Sequence, residues 1–160
     1  MGNLAADVVL SAAIQVAIGI AGFTGIIIAL SGGAKIRTRE RISVSILLLA
    51  SIATVALSFL PMILLNAGVA GASVWMTSSI IFIVYFVSIV SYRFYEFHHL
   101  GTVMPRPILL GIFILSICAI LQVANAIFIR ESWPYLILVV SYVMYSFLVF
   151  AYLLWTLWSE

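Results

Sequence analysis

The side chains of this chain that could do chemistry are amides and hydroxyls set inside long apolar stretches, with charged residues and histidines confined to the segments between and the chain ends. Gln122 and Asn125 stand one helical turn apart, Gln15 is the one strongly polar side chain in the interior of the first apolar stretch, and Ser51, Thr54 and Ser58 share one helical face. Such groups are costly in hydrocarbon unless hydrogen-bonded, so they must meet protein or water. Two uses follow. They can tie helices together at about 0.6 kcal/mol per bond, or they can line an uncharged pore that passes water, small neutral solutes or, weakly, ions. Tyr142 and Tyr145, near the middle of the last stretch, join this set because each hydroxyl wants a partner. With Tyr135 and Tyr152 they are spaced 7, 3 and 7 and form a stripe. The stripe reads first as a packing face, and a quinone or lipid lying along it is the lesser alternative.

Titratable groups concentrate in residues 92–99, where Glu96 and His99 are three apart and share a helical face. That spacing can contribute to a metal site, but two ligands do not make one, so no metal, cofactor or catalytic residue is expected. Histidine as a residue type changes charge near physiological pH, which makes His98 and His99 candidates for sensing pH. Lys35, Arg37, Arg39 and Arg41 follow Gly32 and Gly33 in the first connection. They suit anionic lipid headgroups, at about 1 kcal/mol each. The fixed spacing of a phosphate-binding loop is missing.

The elements that position these residues are membrane spans. Only 8% of the chain is charged and its mean hydropathy is +1.32, where a soluble domain carries about 25% charged residues. Five stretches reach the roughly 20 apolar residues that cross a bilayer: 8–30, 42–65, 72–91, 107–129 and 134–158, none with a charged residue or histidine inside it. The expected fold is an all-α polytopic bundle of five transmembrane helices in one domain, residues 1–160. The first stretch has no basic residues before it and is too long for a signal peptide, so it is expected to be retained. Cys118 has no second cysteine to pair with and reads as a small packing residue. Six of the seven lysines and arginines fall in the first and third connections and one, Arg130, on the other side. Cytoplasmic loops hold the excess, which places the amino terminus outside and the carboxyl terminus in the cytoplasm of a multi-pass cell-membrane protein, a bacterial inner membrane being the expected one.

Two local features bear on packing. Pro61 cannot donate to the carbonyl of Leu57, which must find Ser58 or a neighbouring helix instead. Ala13, Ala17, Ala21, Gly25 and Ala29 recur at every fourth position and predict a smooth helix-packing ridge, within the bundle or between subunits. The segment Ala21-Gly22-Phe23-Thr24-Gly25-Ile26-Ile27-Ile28-Ala29-Leu30, the basic loop after it and Ser58-Phe59-Leu60-Pro61 make the first 65 residues similar to small uncharacterised bacterial multi-span proteins. That resemblance implies no activity and carries no residue role.

The function expected from these residues is that of a small homo-oligomeric membrane protein forming an uncharged channel, lined by Gln15, Ser51, Thr54, Ser58, Gln122, Asn125, Tyr142 and Tyr145. The alternative is a non-catalytic scaffold, sensor or accessory subunit with an unidentified protein partner. Intramembrane enzymes need positioned carboxylates, histidines or a nucleophile, and the spans offer only hydroxyls, amides and one thiol. A net charge of +2 gives no grip on nucleic acid.

Overall fold

The computed structural model describes residues 2–30, 38–101 and 105–158. Its regular elements are α1 (Gly2–Leu30), α2 (Thr38–Asn66), α3 (Gly71–Leu100), α4 (Arg106–Ala124) continued by a π-helical turn (Asn125–Ile129), and α5 (Ser132–Trp158). Each of the five contains an apolar span of 24 to 29 residues. At 1.5 Å per residue the shortest covers about 36 Å, more than the roughly 30 Å of hydrocarbon in a bilayer. The chain is therefore an all-helical, multi-pass membrane protein.

Burial follows a seven-residue period. The seam runs in α1 through the buried residues Ala6, Leu10, Ala13, Ala17, Ile20 and Thr24, in α4 and its π-helical turn through Ile108, Gly111, Leu115, Cys118, Gln122 and Asn125, and in α5 through Tyr135, Val139, Tyr142, Ser146, Val149 and Leu153, with Pro134, Leu138 and Ala126 buried beside it. Steps of three and four alternating keep one seam facing a partner that crosses at a shallow angle, the geometry of left-handed helix bundles. α5 packs against each of the other four helices, with α1 and α2 on one side and α3 and α4 on the other. One core cluster joins Leu10, Leu57, Trp75, Phe82, Tyr135 and Tyr142, and a second joins Ile20, Leu47, Phe97, Ile108 and Leu153.

The ridge at fourfold spacing behaves differently from the seam. Ala13 and Ala17 are buried, Ala21 is half-buried, and Gly25 and Ala29 are exposed. Four residues turn an α-helix through 400°, so each step of the ridge moves about 40° around the helix. By its end it has left the seam, which passes instead through Ile20 and Thr24.

Residues 92–100, expected to belong to a connection, continue α3. That helix ends at Gly101, whose left-handed conformation (φ 58°, ψ 23°) closes the last turn with a bond from its N–H to the His98 carbonyl. Arg93 is thereby carried into the bundle and is buried. Pro61 lies inside an unbroken α2.

Candidate functional site

At the end of the bundle where α2 turns into α3 and α4 into α5, the polar residues form a closed knot. Ser79 donates from Oγ to Gln122 Oε1 (2.8 Å), Gln122 Nε2 donates to the Pro134 carbonyl (2.8 Å), and Asn125 Nδ2 donates to Ser79 Oγ (3.0 Å). Asn125 Oδ1 accepts the Glu131 N–H at 3.1 Å, and its carbonyl accepts the Arg130 N–H at 2.9 Å. That last bond spans five residues and closes the π-helical turn, after which Arg130 (φ 54°) reverses the chain. Ser79, Gln122 and Asn125 have no solvent exposure. α3, the end of α4 and the start of α5 are thus tied at one point by hydrogen bonds among these side chains and to the backbone of Glu131 and Pro134.

The proline in α2 is accommodated close by. Tyr135 Oη donates to the Leu57 carbonyl at 2.9 Å, the acceptor that Pro61 leaves without an N–H. A neighbouring helix, not Ser58, fills the gap. Trp75 packs against the Tyr135 ring with centroids 6.0 Å apart.

The remaining residues expected to line a pore are dispersed. Thr54 is buried and donates to its own helix at the Ala50 carbonyl. Ser51 and Ser58 are buried with no hydrogen-bond partner placed on their hydroxyls, as is Ser78. Rotation towards the carbonyl four residues earlier, the bond that Thr24, Ser116 and Ser146 make, is open to such groups. Gln15 is on the outer surface of α1, away from the knot. Tyr142 is buried and Tyr145 half-buried, both facing the other end of the bundle's interior.

At that other end lies a cavity of about 50 Å³ between α2, α3, α4 and α5. Tyr85, Tyr142, Tyr145 and Arg93 supply its polar groups, and its walls are otherwise apolar. The Tyr142 and Tyr145 rings meet edge to face at 6.4 Å. Tyr145 lies directly over Gly111, where a Cβ would come within 2.0 Å of the ring. Arg93 donates from Nη1 to Glu96 and from Nη2 to Ser45 Oγ (3.2 Å). Neither Ser79 nor Arg93 stood out as a site residue in the sequence. Ser79 is one of several serines in α3, whereas Arg93 had a readable signal in the spacing Phe82, Phe86, Arg93, Phe97, which continues the buried seam.

His98 and His99 are exposed at the end of α3, with the Tyr95 ring 4.5 Å from that of His99. Among the described residues no three of histidine, cysteine, aspartate and glutamate stand close enough to hold a metal. Lys35 and Arg37 lie outside the described residues, and Arg39 and Arg41 fall in the first turn of α2.

Protein-family models, curated proteins and solved structures were each compared with the chain, and none matches it.

Proposed function

We propose that the protein is a non-catalytic membrane scaffold subunit that associates through the outer face of α1, with a second copy of itself as the first partner. The observation that carries this reading is Gln15. It is the tenth residue of the 24-residue span Ala6–Ala29, close to the middle, and it is exposed. An amide there is satisfied by another helix, and glutamine both donates and accepts, so two copies can pair reciprocally across a twofold axis.

The residues around Gln15 support close approach. Ala12, Gly22, Ile26 and Ala29 are exposed and Gly19 is half-exposed, giving a row with the same alternating steps as the buried seam but displaced by two residues, about 200° around the helix. Among the described residues, a Cβ added at Gly19, Gly22 or Gly25 would meet nothing within 4 Å. Glycine in a helix interior costs about 1 kcal/mol relative to alanine, and no contact among the described residues calls for it at these positions.

The channel reading has less support, because Ser79, Gln122 and Asn125 are consumed in the knot and one amide per subunit is a sparse lining. The lysines and arginines of the connections at the Arg93 end favour placing that end in the cytoplasm. Sizing of the purified protein in mild detergent tests the proposal. The expected result is a dimer or larger assembly that Gln15→Leu reduces to monomer, with vesicles containing the protein tight to ions and small solutes. A monomeric wild type, or an assembly unchanged by Gln15→Leu, overturns it.

A further inference from the structure

The cavity beside Arg93 has no part in the scaffold reading, and its size and lining decide what can enter it. At about 50 Å³ it is a third of the roughly 150 Å³ that accommodates a benzene ring, whereas one water needs only about 10–15 Å³. A ring or a lipid chain does not fit, and about three waters fill it. Most of its wall is apolar, but four polar side chains converge on it, Tyr85 and Arg93 from α3 and Tyr142 and Tyr145 from α5.

The Arg93 side chain is only 8% exposed. Among the described residues its guanidinium donates to Glu96 and Ser45, which uses two of its five N–H groups. The hydroxyls of Tyr85 and Tyr142 face one another, and Arg93 acts electrostatically on those of Tyr85 and Tyr145 without a direct hydrogen bond to either. A buried N–H of a charged group left facing hydrocarbon forfeits its solvation, which outweighs the entropy of fixing a water. Water also has a way in, because Glu96 keeps 26% of its side chain exposed.

The polar lining occupies a definite depth. Tyr85 is the fifteenth of the 30 residues of α3, and Arg93 lies eight residues further on, about 12 Å along the helix. With the helix centred, Tyr85 is at mid-membrane and Arg93 is close to the boundary between acyl chains and headgroups. Towards the knot, Phe82 and Leu138 are fully buried, and Phe82 meets the Tyr142 ring edge to face at 6.3 Å, so the polar lining stops at mid-membrane.

We propose that the cavity between α2, α3, α4 and α5 is a water site, a cluster of about three waters that joins the Arg93 guanidinium to the hydroxyls of Tyr85, Tyr142 and Tyr145. The cluster hydrates the buried charge on the side that Glu96 does not reach. It also gives the tyrosine hydroxyls contact with solvent from the Arg93 end alone, as far as mid-membrane. The site is separate from the outer face of α1, so it stands or falls independently of the scaffold reading.

The test is water-edited solid-state NMR on the full-length protein in phosphatidylcholine bilayers, with its tyrosine rings isotopically labelled. Tyr135 is the internal reference: it is buried like Tyr142, but its hydroxyl is spent on the Leu57 carbonyl and it does not line the cavity. The expected result is that magnetisation passes from water to the Tyr142 ring faster than to the Tyr135 ring. That difference is expected to be lost in Ala50→Leu, which fills the cavity and leaves every polar group in place. Equal transfer to the two rings in the wild type overturns the proposal, as does a difference that persists in Ala50→Leu. Circular dichroism establishes that the variant is folded. If it is not, Leu115→Phe, which enlarges the cavity wall from α4, decides on the same terms, and the wild-type comparison needs no variant.

Discussion

Gly111→Ala probes the tightest contact between α4 and α5. The new Cβ would stand 2.0 Å from Tyr145 Cε2 and 2.3 Å from Cδ2, where carbon atoms in contact keep about 3.5–4.0 Å. The ring must withdraw by about 1.5 Å or more. α4 cannot retreat instead, because Ile108, Leu115 and Cys118 on the same face are buried. Overpacking of this kind costs about 1–3 kcal/mol. Against it stands the gain of about 1 kcal/mol for replacing glycine by alanine inside a helix. The expected net effect is a loss of about 1 kcal/mol. In a Tyr145→Ala background the obstruction is gone and the same substitution should gain about 1 kcal/mol, a coupling of about 2 kcal/mol between the two positions. Reversible unfolding in mixed micelles, followed by circular dichroism, measures all four variants. Stabilisation by Gly111→Ala of equal size in both backgrounds would refute the reasoning and remove Tyr145 from the cavity wall.

Three further outcomes are expected from the same assay. Tyr135→Phe strips the Leu57 carbonyl of its donor and should cost about 1–2 kcal/mol, and most of that cost should vanish in Pro61→Ala, where residue 61 regains an N–H for the same carbonyl. Ser79→Ala leaves Gln122 Oε1 and Asn125 Nδ2 without the partner they share, for a loss of about 1–3 kcal/mol, whereas Ser88→Ala, at an exposed hydroxyl bonded within its own helix, should fall within about 0.5 kcal/mol of wild type. Glu96→Gln leaves the buried Arg93 charge without its counter-ion and should destabilise more than the double substitution Arg93→Leu with Glu96→Leu, which removes both charges.

The five spans were legible because each is an apolar run longer than the hydrocarbon is thick, and a soluble chain has no reason to keep such runs. The amide pair Gln122 and Asn125 was legible as well, since two costly groups one turn apart announce a shared partner. Their partner Ser79 was not, because nothing local separates it from Ser73, Ser78 or Ser88 and the pairing reaches across 43 residues. Arg93 was placed in a connection by the rule that a charge ends a span. Here α3 runs on past it, and Glu96 and Ser45 supply the bonds that let it stay buried. The small-residue ridge was visible as spacing, but four-residue spacing drifts around a helix while a seven-residue seam does not. Gln15 belongs to the row opposite that seam, exposed among the described residues.

The central claim is that this row is covered by a second copy, and disulfide trapping in native membranes tests it most directly. In a Cys118→Ser background that removes the single native thiol, Gln15→Cys and Gly22→Cys should each yield covalent dimers on mild oxidation. Ile120→Cys, also exposed, on α4 (72%), should not. Dimers from Ile120→Cys as abundant as those from Gln15→Cys, or none from positions 15 and 22, would contradict it.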